Sequence, residues 1–383
     1  MSVSAAAAGA RLSGTLGAGG PTTLSRFRGA LVGAVLGDCI GGEFEGAEEV
    51  PLDRVLQHLN SLEQENRGDA ILQYSDDTAM TRCVAQSLLT RGEFDQVDLA
   101  HRFAEEYRQS PARGYGAGVV AVLRRLLSPP LGDVFQPATL QFGGRGSFGN
   151  GGAMRATPFA LAFPNAQDVE RFSRLGALLT HSCSLGYNGA VLQALAVHLA
   201  LQGALQPPHS YLRSLLALME GVEGDERSLR DARELSESEM PFCARLHKVR
   251  ELLDRNSVTV EDVIAELGNG IAALQSVPTA IFCVLHCLQP RPELPAHYGG
   301  LERTLAFCLA LGGDTDTIAS MAGAIAGAHY GLEAIPSQWK RCCEGAEEAE
   351  LWAERLHQLY QRRAQGGDTE SHHTDTHRDS PTD

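Results

Sequence analysis

Two acidic clusters carry the most chemistry in this sequence. Ser75-Asp76-Asp77-Thr78 leads into an apolar-periodic stretch from Ala79 to Leu89, and Gly312-Gly313-Asp314-Thr315-Asp316-Thr317 leads into another from Ile318 to Ala328. Each puts carboxylates and a hydroxyl in the first turn of a predicted helix. Asp, Ser and Thr are the preferred N-cap residues and early acids complement the helix dipole, so either cluster alone reads as an ordinary cap. The presence of both weakens that reading. A cap needs one oxygen acceptor, whereas each cluster offers two carboxylates and at least one hydroxyl. If the helix ends converge, their carboxylates repel unless a hard divalent cation sits among them, and Mg²⁺ prefers such all-oxygen coordination. Neither cluster contains His or Cys, which disfavours zinc, copper or a non-haem iron centre. Spacing alone does not bring the clusters together.

The third candidate is the run from Gly143 to Arg155. Seven of its first ten residues are Gly or Ser, and it holds no acid. Successive backbone N–H groups in such a run can turn inward as an anion cradle. A helix starting near Ala153 would add its amide end, and Arg145 would add charge. The run is neither a Walker A loop nor a GxGxxG after a strand, and taken alone it also reads as a flexible glycine loop. A fourth segment, Gly37 to Glu45, sets Asp38, Glu43 and Glu45 in a Gly-rich turn after an apolar helix. Asp38 reads as a backbone cap, while Glu43 or Glu45 can reach a site as a base. His181, between Thr180 and Ser182, reads as a core or loop residue as well as a ligand contact.

Composition bounds what such a site can serve. Basic residues number 32 against 47 acidic ones, a formal charge of -15 over 383 residues. Duplex binding needs a cationic surface that displaces counterions, so direct nucleic-acid binding is not expected. A polyanionic ligand needs a local electropositive spot, from a metal or from backbone N–H groups, to enter such a field. The nine cysteines form no CxxC pair and sit mostly in apolar runs, which predicts reduced core thiols rather than a disulfide framework. No apolar run reaches the roughly 18–20 residues that span a bilayer, so no membrane partner is expected.

The elements that must position these residues read as helices. Ala and Leu are abundant and aromatic residues only 6%, and strand alternation is not convincing anywhere. Leu99, Phe103 and Tyr107 recur every four residues, and Val191 to Leu201 is apolar almost all round except His198. Gly323 and Gly327 would let a neighbour approach the helix carrying Ile318, Met321 and Ile325. No linker or repeat divides the chain, so one domain is expected over residues 25–363. Residues 1–24 form a leader without Asp or Glu, read either as disordered or as a transit segment, and the polar tail 364–383 is expected to be disordered. Its His372-His373 pair reads as solvated.

Taken in order, the segments resemble the ADP-ribosylhydrolase family related to dinitrogenase reductase-activating glycohydrolase, from about Arg26 to Gln361. The matching pieces are Phe27-Arg28-Gly29 with Gly37-Asp38-Cys39, then Ser75 to Met80, Arg113 to Gly118, the Gly-rich run, Thr180-His181, Glu266 to Ile271, and Gly312 to Thr317. The likeness is greatest to the vertebrate branch that acts on serine-linked ADP-ribose. It implies an all-α orthogonal bundle, a single domain with a two-metal central cleft holding two Mg²⁺ ions. Ser75, Asp76, Asp77 and Asp316 would hold one metal, and Glu45, Asp314, Asp316 and Thr317 would hold or face the other.

By the same resemblance, Arg145, Gly146, Ser147, Phe148, Gly149, Asn150 and Gly151 would cradle the diphosphate of ADP-ribose. Phe142, Phe148, His181, Leu235 and Ile271 would line the rest of the pocket. Glu45 is expected as the base or gate, with Asp76 and Asp77 fixing the metal. Three positions depart from the family pattern: Ser75 replaces a threonine and Phe148 a tyrosine, while Arg145 replaces a lysine with charge retained. The implied activity is Mg²⁺-dependent cleavage of the O-glycosidic bond of ADP-ribosyl-serine on proteins such as histones, with poly(ADP-ribose) and O-acetyl-ADP-ribose as further substrates. An ADP-ribosyl-arginine hydrolase, an inactive ADP-ribose-binding module and a Mg²⁺ phosphohydrolase stay open as alternatives. A monomer serving the DNA damage response and DNA repair in nucleus and cytoplasm is expected, with the mitochondrial matrix as a further compartment if the leader directs import.

Overall fold

Glycines spaced four apart on α1 (Thr23–Gly41) explain the centre of the molecule, which is described here by a computed structural model over residues 21–64, 71–128 and 132–370, with side chains to residue 365. Residues four apart share one helix face. A Cβ added at Gly29, Gly33 or Gly37 would overlap the backbone carbonyls of Gly327, Gly323 and Ala319 on the helix Thr315–Tyr330. Bare backbone therefore meets bare backbone along the contact. The neighbour anticipated for Gly323 and Gly327 is α1 itself.

Eighteen α-helices form among the described residues and no strand does, apart from isolated bridges at Leu72–Cys343 and Gly149–Ala272. After α1 come α2 (Leu52–Leu62), α3 (Asp76–Arg91), α4 (Gln96–Gln109), α5 (Ala117–Leu126) and α6 (Gln136–Thr139). The middle holds α7 (Thr157–Ala162), α8 (Ala166–Leu178), α9 (Ser184–Leu201), α10 (Pro208–Glu223), α11 (Glu226–Glu234) and α12 (Pro241–Leu253). The last are α13 (Val260–Glu266), α14 (Ala273–His286), α15 (Gly300–Ala310), α16 (Thr315–Tyr330), α17 (Ser337–Cys342) and α18 (Ala346–Glu370).

Helices α1, α9, α14 and α16 are buried over nearly their whole length, as all-round apolar helices must be. His198, the polar exception on α9, is buried too and meets Gln202 at 2.9 Å. Outer helices bury one stripe: Val55, Leu59 and Leu62 on α2, Leu99 and Phe103 on α4. All nine cysteines are free thiols, eight of them buried. No described helix is long and apolar enough to cross a membrane.

Three boundaries differ from the sequence reading. Helix α1 starts at Thr23, capped by the Thr22 side chain, two residues before Ser25. Helix α18 continues past Arg363 to Glu370, with Arg363 bonded to the carbonyls of Ala162 and Gly92 at 2.7 and 2.8 Å. No α-helix starts at Ala153. A 3₁₀ turn covers Asn150–Gly152 and α7 begins at Thr157, because adjacent glycines disfavour helix while Pro158 suits a first turn. The leader residues 1–20 and the tail residues 371–383, with His372-His373, lie outside the described residues.

Candidate functional site

Ser75 alone caps α3. It is extended (φ −90°, ψ −165°) and its hydroxyl accepts from the Asp77 N–H at 3.2 Å, so neither Asp76 nor Asp77 is needed for capping. The turn is anchored from α1 by Asp38, a buried carboxylate. Asp38 accepts from the Ser75 N–H at 3.0 Å, the Thr78 N–H at 3.0 Å and the Thr78 hydroxyl at 2.6 Å. From the other side, Arg113 donates to the Tyr74 carbonyl at 2.9 Å and to both oxygens of Glu344 at 2.7 and 2.9 Å. Its own carbonyl accepts from the Asp76 N–H at 2.6 Å.

At α16, Asp314 holds the N-cap position yet makes no capping hydrogen bond. Its carboxylate accepts instead from the Asn150 side-chain amide at 2.5 Å. Thr315 ties this end to α1 through the Gly41 carbonyl at 2.8 Å, and the Thr317 hydroxyl donates to Asp77 at 3.3 Å. That last bond joins two segments that lie 240 residues apart, and it brings the acidic clusters together.

The result is a concentration of carboxylates, buried at Asp77, Asp314 and Asp316 and open to solvent at Glu45. Glu45, Asp314 and Asp316 each offer a carboxylate oxygen within 4.8 Å of the others. Burial first, and neighbouring carboxylates second, push Asp76 up to about 7 and Asp316 up to about 9. Asp77 and Glu45 are raised by the same two causes, Glu45 chiefly by burial and then by Asp314. One buried oxygen of Asp77 has no hydrogen-bond partner. An all-oxygen donor set with an orphaned carboxylate oxygen fits a hard divalent cation, which would neutralise the repulsion and return these groups to their ionised forms.

This cluster floors a cleft of about 570 Å³, inside the roughly 300–1,000 Å³ range of small-molecule sites. Asp76, Asp77, Asp316 and Thr317 line it together with Phe142, Ser147, Gly149, Asn150, Gly151, His181 and Ile271. The Gly-rich run forms its wall as a built loop. Phe142, Gly143, Gly144 and Gly146 all take positive φ, a path that costs glycine little and Phe142 more. Hydrogen bonds hold the loop: Gly146 N–H to the Gln141 carbonyl at 3.1 Å, Asn150 N–H to Ile271 at 2.9 Å, and Ala273 N–H to Phe148 at 3.0 Å. Phe142, Phe148 and Ile271 are exposed at the rim, with the two rings 6.0 Å apart.

Five expected site residues do not line the main cleft itself. Ser75 faces an adjoining cavity that Glu45 and Asp316 line as well, its hydroxyl engaged in the cap. Arg145 is exposed and turns back toward the Phe142 carbonyl, while Gly146 packs against Ser182. Phe148 and Leu235 line a neighbouring pocket of about 230 Å³, with the Phe148 ring still 6.0 Å from that of Phe142 at the cleft rim. Conversely, the anchoring role of Asp38, the Asn150–Asp314 bond and the buried Arg155 were not anticipated. The available signals were an acid within the apolar run of α1 and an arginine between Met154 and Ala156.

Fold and site together define an all-helical protein with an oxygen-rich centre of metal-binding type beside a glycine cradle. The comparisons narrow this class. The sequence profile of the family described as ADP-ribosylglycohydrolase matches residues 20–366. ADP-ribosylhydrolase ARH3 of Danio rerio is 67% identical over 356 residues, covering 92% of this chain and 96% of that protein. The protein of the same name from Homo sapiens is 56% identical over 350 residues, covering 90% and 96%. A solved ADP-ribosylglycohydrolase-related protein complex superposes with a TM-score of 0.60 at 25% identity, covering 88% of this chain and 99% of that one. The chain belongs to the ADP-ribosylglycohydrolase family, and it is an enzyme that hydrolyses glycosidic bonds to ADP-ribose.

Proposed function

We propose that this enzyme cleaves the O-glycosidic bond between the distal ribose of ADP-ribose and a serine hydroxyl on modified proteins, histones among them, with two Mg²⁺ ions held at the acidic cluster. The observation that carries the reading is the Thr317–Asp77 hydrogen bond, which sets both acidic helix ends on the floor of one cleft. Glu45, Asp76, Asp77, Asp314 and Asp316 would hold the ions, with Thr317 beside them. Bound there, the metal supplies Lewis-acid chemistry and an acidified water.

The chain's own groups do the rest. Cleavage builds positive character on the distal ribose, and the carboxylate floor faces it. Glu45 follows a 3₁₀ turn at Gly42–Phe44 and precedes Gly46, whose N–H is tied to the Gly313 carbonyl at 2.8 Å. Ionised beside the other carboxylates, Glu45 would serve as the base that takes a proton from water and returns one to the serine oxygen. The backbone N–H groups of Ser147 and Phe148, which the loop's own hydrogen bonds leave out, offer donors to the diphosphate, and the exposed Phe142 ring offers a stacking face.

The test is release of ADP-ribose from matched peptides modified on serine or on arginine, with Mg²⁺ or with chelator. Release from the serine peptide alone, dependent on Mg²⁺, is expected. Faster release from the arginine peptide would overturn the serine assignment.

A further inference from the structure

His181 reaches the cleft from a loop whose other hydrogen bonds decide which of its ring nitrogens carries the proton. Its Nδ1 lies 2.7 Å from the Thr180 hydroxyl oxygen. The same oxygen receives an N–H from Arg155 at 2.7 Å. The hydroxyl proton has two conceivable acceptors, the His181 Nδ1 and the Ala177 carbonyl at 3.5 Å. That carbonyl is already occupied, because it accepts from the Thr180 N–H at 3.0 Å and the His181 N–H at 2.8 Å. With both lone pairs taken, the hydroxyl turns to Nδ1. A histidine that accepts at Nδ1 carries its proton on Nε2.

The geometry points to Arg155 and Thr180 as positioning residues that lock neutral His181 in its Nε2–H form, aiming one N–H donor at a diphosphate oxygen of ADP-ribose. This rests on the proposed function for the identity of the ligand. The ring stands where that donor is useful: a Cβ added at Gly151 would lie 3.2 Å from Nε2, and one at Gly149 would lie 3.6 Å away. Nε2 makes no hydrogen bond to any described residue, while His181 lines the main cleft.

Arg155 keeps the arrangement fixed. It is 1% exposed, and its guanidinium donates to the carbonyls of Gly151 at 2.6 Å and Gly176 at 3.1 Å. It also lies 4.6 Å from the centre of the Phe103 ring. One cation therefore holds both the glycine wall, at Gly151, and the histidine opposite it, through Thr180. Burial, with the Arg155 charge beside it, pulls the imidazole down to about 3, so His181 stays neutral at physiological pH.

The experiment reads the tautomer directly, by ¹⁵N NMR of histidine-labelled full-length chain, with the His181→Asn variant assigning the signal. Wild type without ligand is expected to show a protonated Nε2 and a bare Nδ1. In Thr180→Val the accepting pattern at Nδ1 should be lost, and ADP-ribose affinity measured by calorimetry with Mg²⁺ should weaken by roughly 3–10-fold, the size of one neutral hydrogen bond. Thr180→Ser should restore both, which a merely structural role for the residue would not require. These threonine variants avoid replacing the buried Arg155, whose loss risks misfolding. A protonated Nδ1 in wild type, or a folded Thr180→Val that keeps tautomer and affinity unchanged, overturns the inference. A wild-type chain that binds no ADP-ribose overturns the proposed function and the ligand half of the inference, while the NMR signal still decides the tautomer.

Discussion

Two helix ends in this molecule carry an aspartate at the N-cap position, one near solvent and one buried, and use it in opposite ways. At α4, Asp95 accepts from the Val97 and Asp98 N–H groups at 3.0 and 2.9 Å and pairs with Arg91 at 2.8 Å. Those backbone donors hold its carboxyl below the usual range. At α16, Asp314 caps nothing and Asp316 is driven up to about 9 by burial and by the carboxylates around it. At Asp95, close to solvent, the backbone donors decide the direction, whereas at Asp316 burial decides it and the neighbouring carboxylates add to it. Asn165 and Thr259 cap α8 and α13 in the ordinary manner, as Asp95 does α4.

Substitutions at the two ends should therefore dissociate stability from activity. The largest effect is expected for Asp316→Asn. ADP-ribose release should fall by more than about a hundredfold, beyond the loss typical of a group one step removed from a metal. Its thermal midpoint without metal should stay level, since Asp316, pushed up to about 9, already carries its proton at neutral pH and the amide replaces a neutral group. Near-normal turnover in a folded Asp316→Asn would erase the distinction. A smaller effect is expected for Asp95→Ala, a loss of about 1 kcal/mol of stability measured by denaturant unfolding at neutral pH, with turnover unchanged. The folded pKa of Asp95 lies below its unfolded value, so its contribution is present at neutral pH and fades as pH falls through the folded value. A change in turnover with no change in stability would show that the α4 end is not the plain cap its hydrogen bonds describe.

The architecture was largely legible in the sequence. All-round apolar runs such as Val191 to Leu201 must be buried helices, and the Gly323/Gly327 spacing announces a close neighbour. Identifying that neighbour was harder, because its signal, the stripe Gly29, Gly33 and Gly37, lies near the opposite end of the chain. The two acidic clusters stood out as more than caps, yet the contact that unites them spans 240 residues and has no local signature; only the family resemblance supplied it. The partners of Asp38 and Asn150, and Arg155 altogether, escaped for a related reason. Each is a single polar residue whose partners lie on other elements, so no periodicity marks it. Leu235 and Phe148 show the converse limit. They lie beside the right loop, yet they line a neighbouring pocket rather than the cleft that holds the acids.

The account stands on distant aspartates being completed by hard cations. The measurement that reaches this most directly follows ADP-ribose release from a serine-modified peptide by chain stripped exhaustively of divalent ions, while Mg²⁺ is titrated back and its binding is recorded by calorimetry. The account predicts no release from the stripped enzyme, and recovery that tracks occupancy to two ions per chain. Full release before any Mg²⁺ is returned would contradict it.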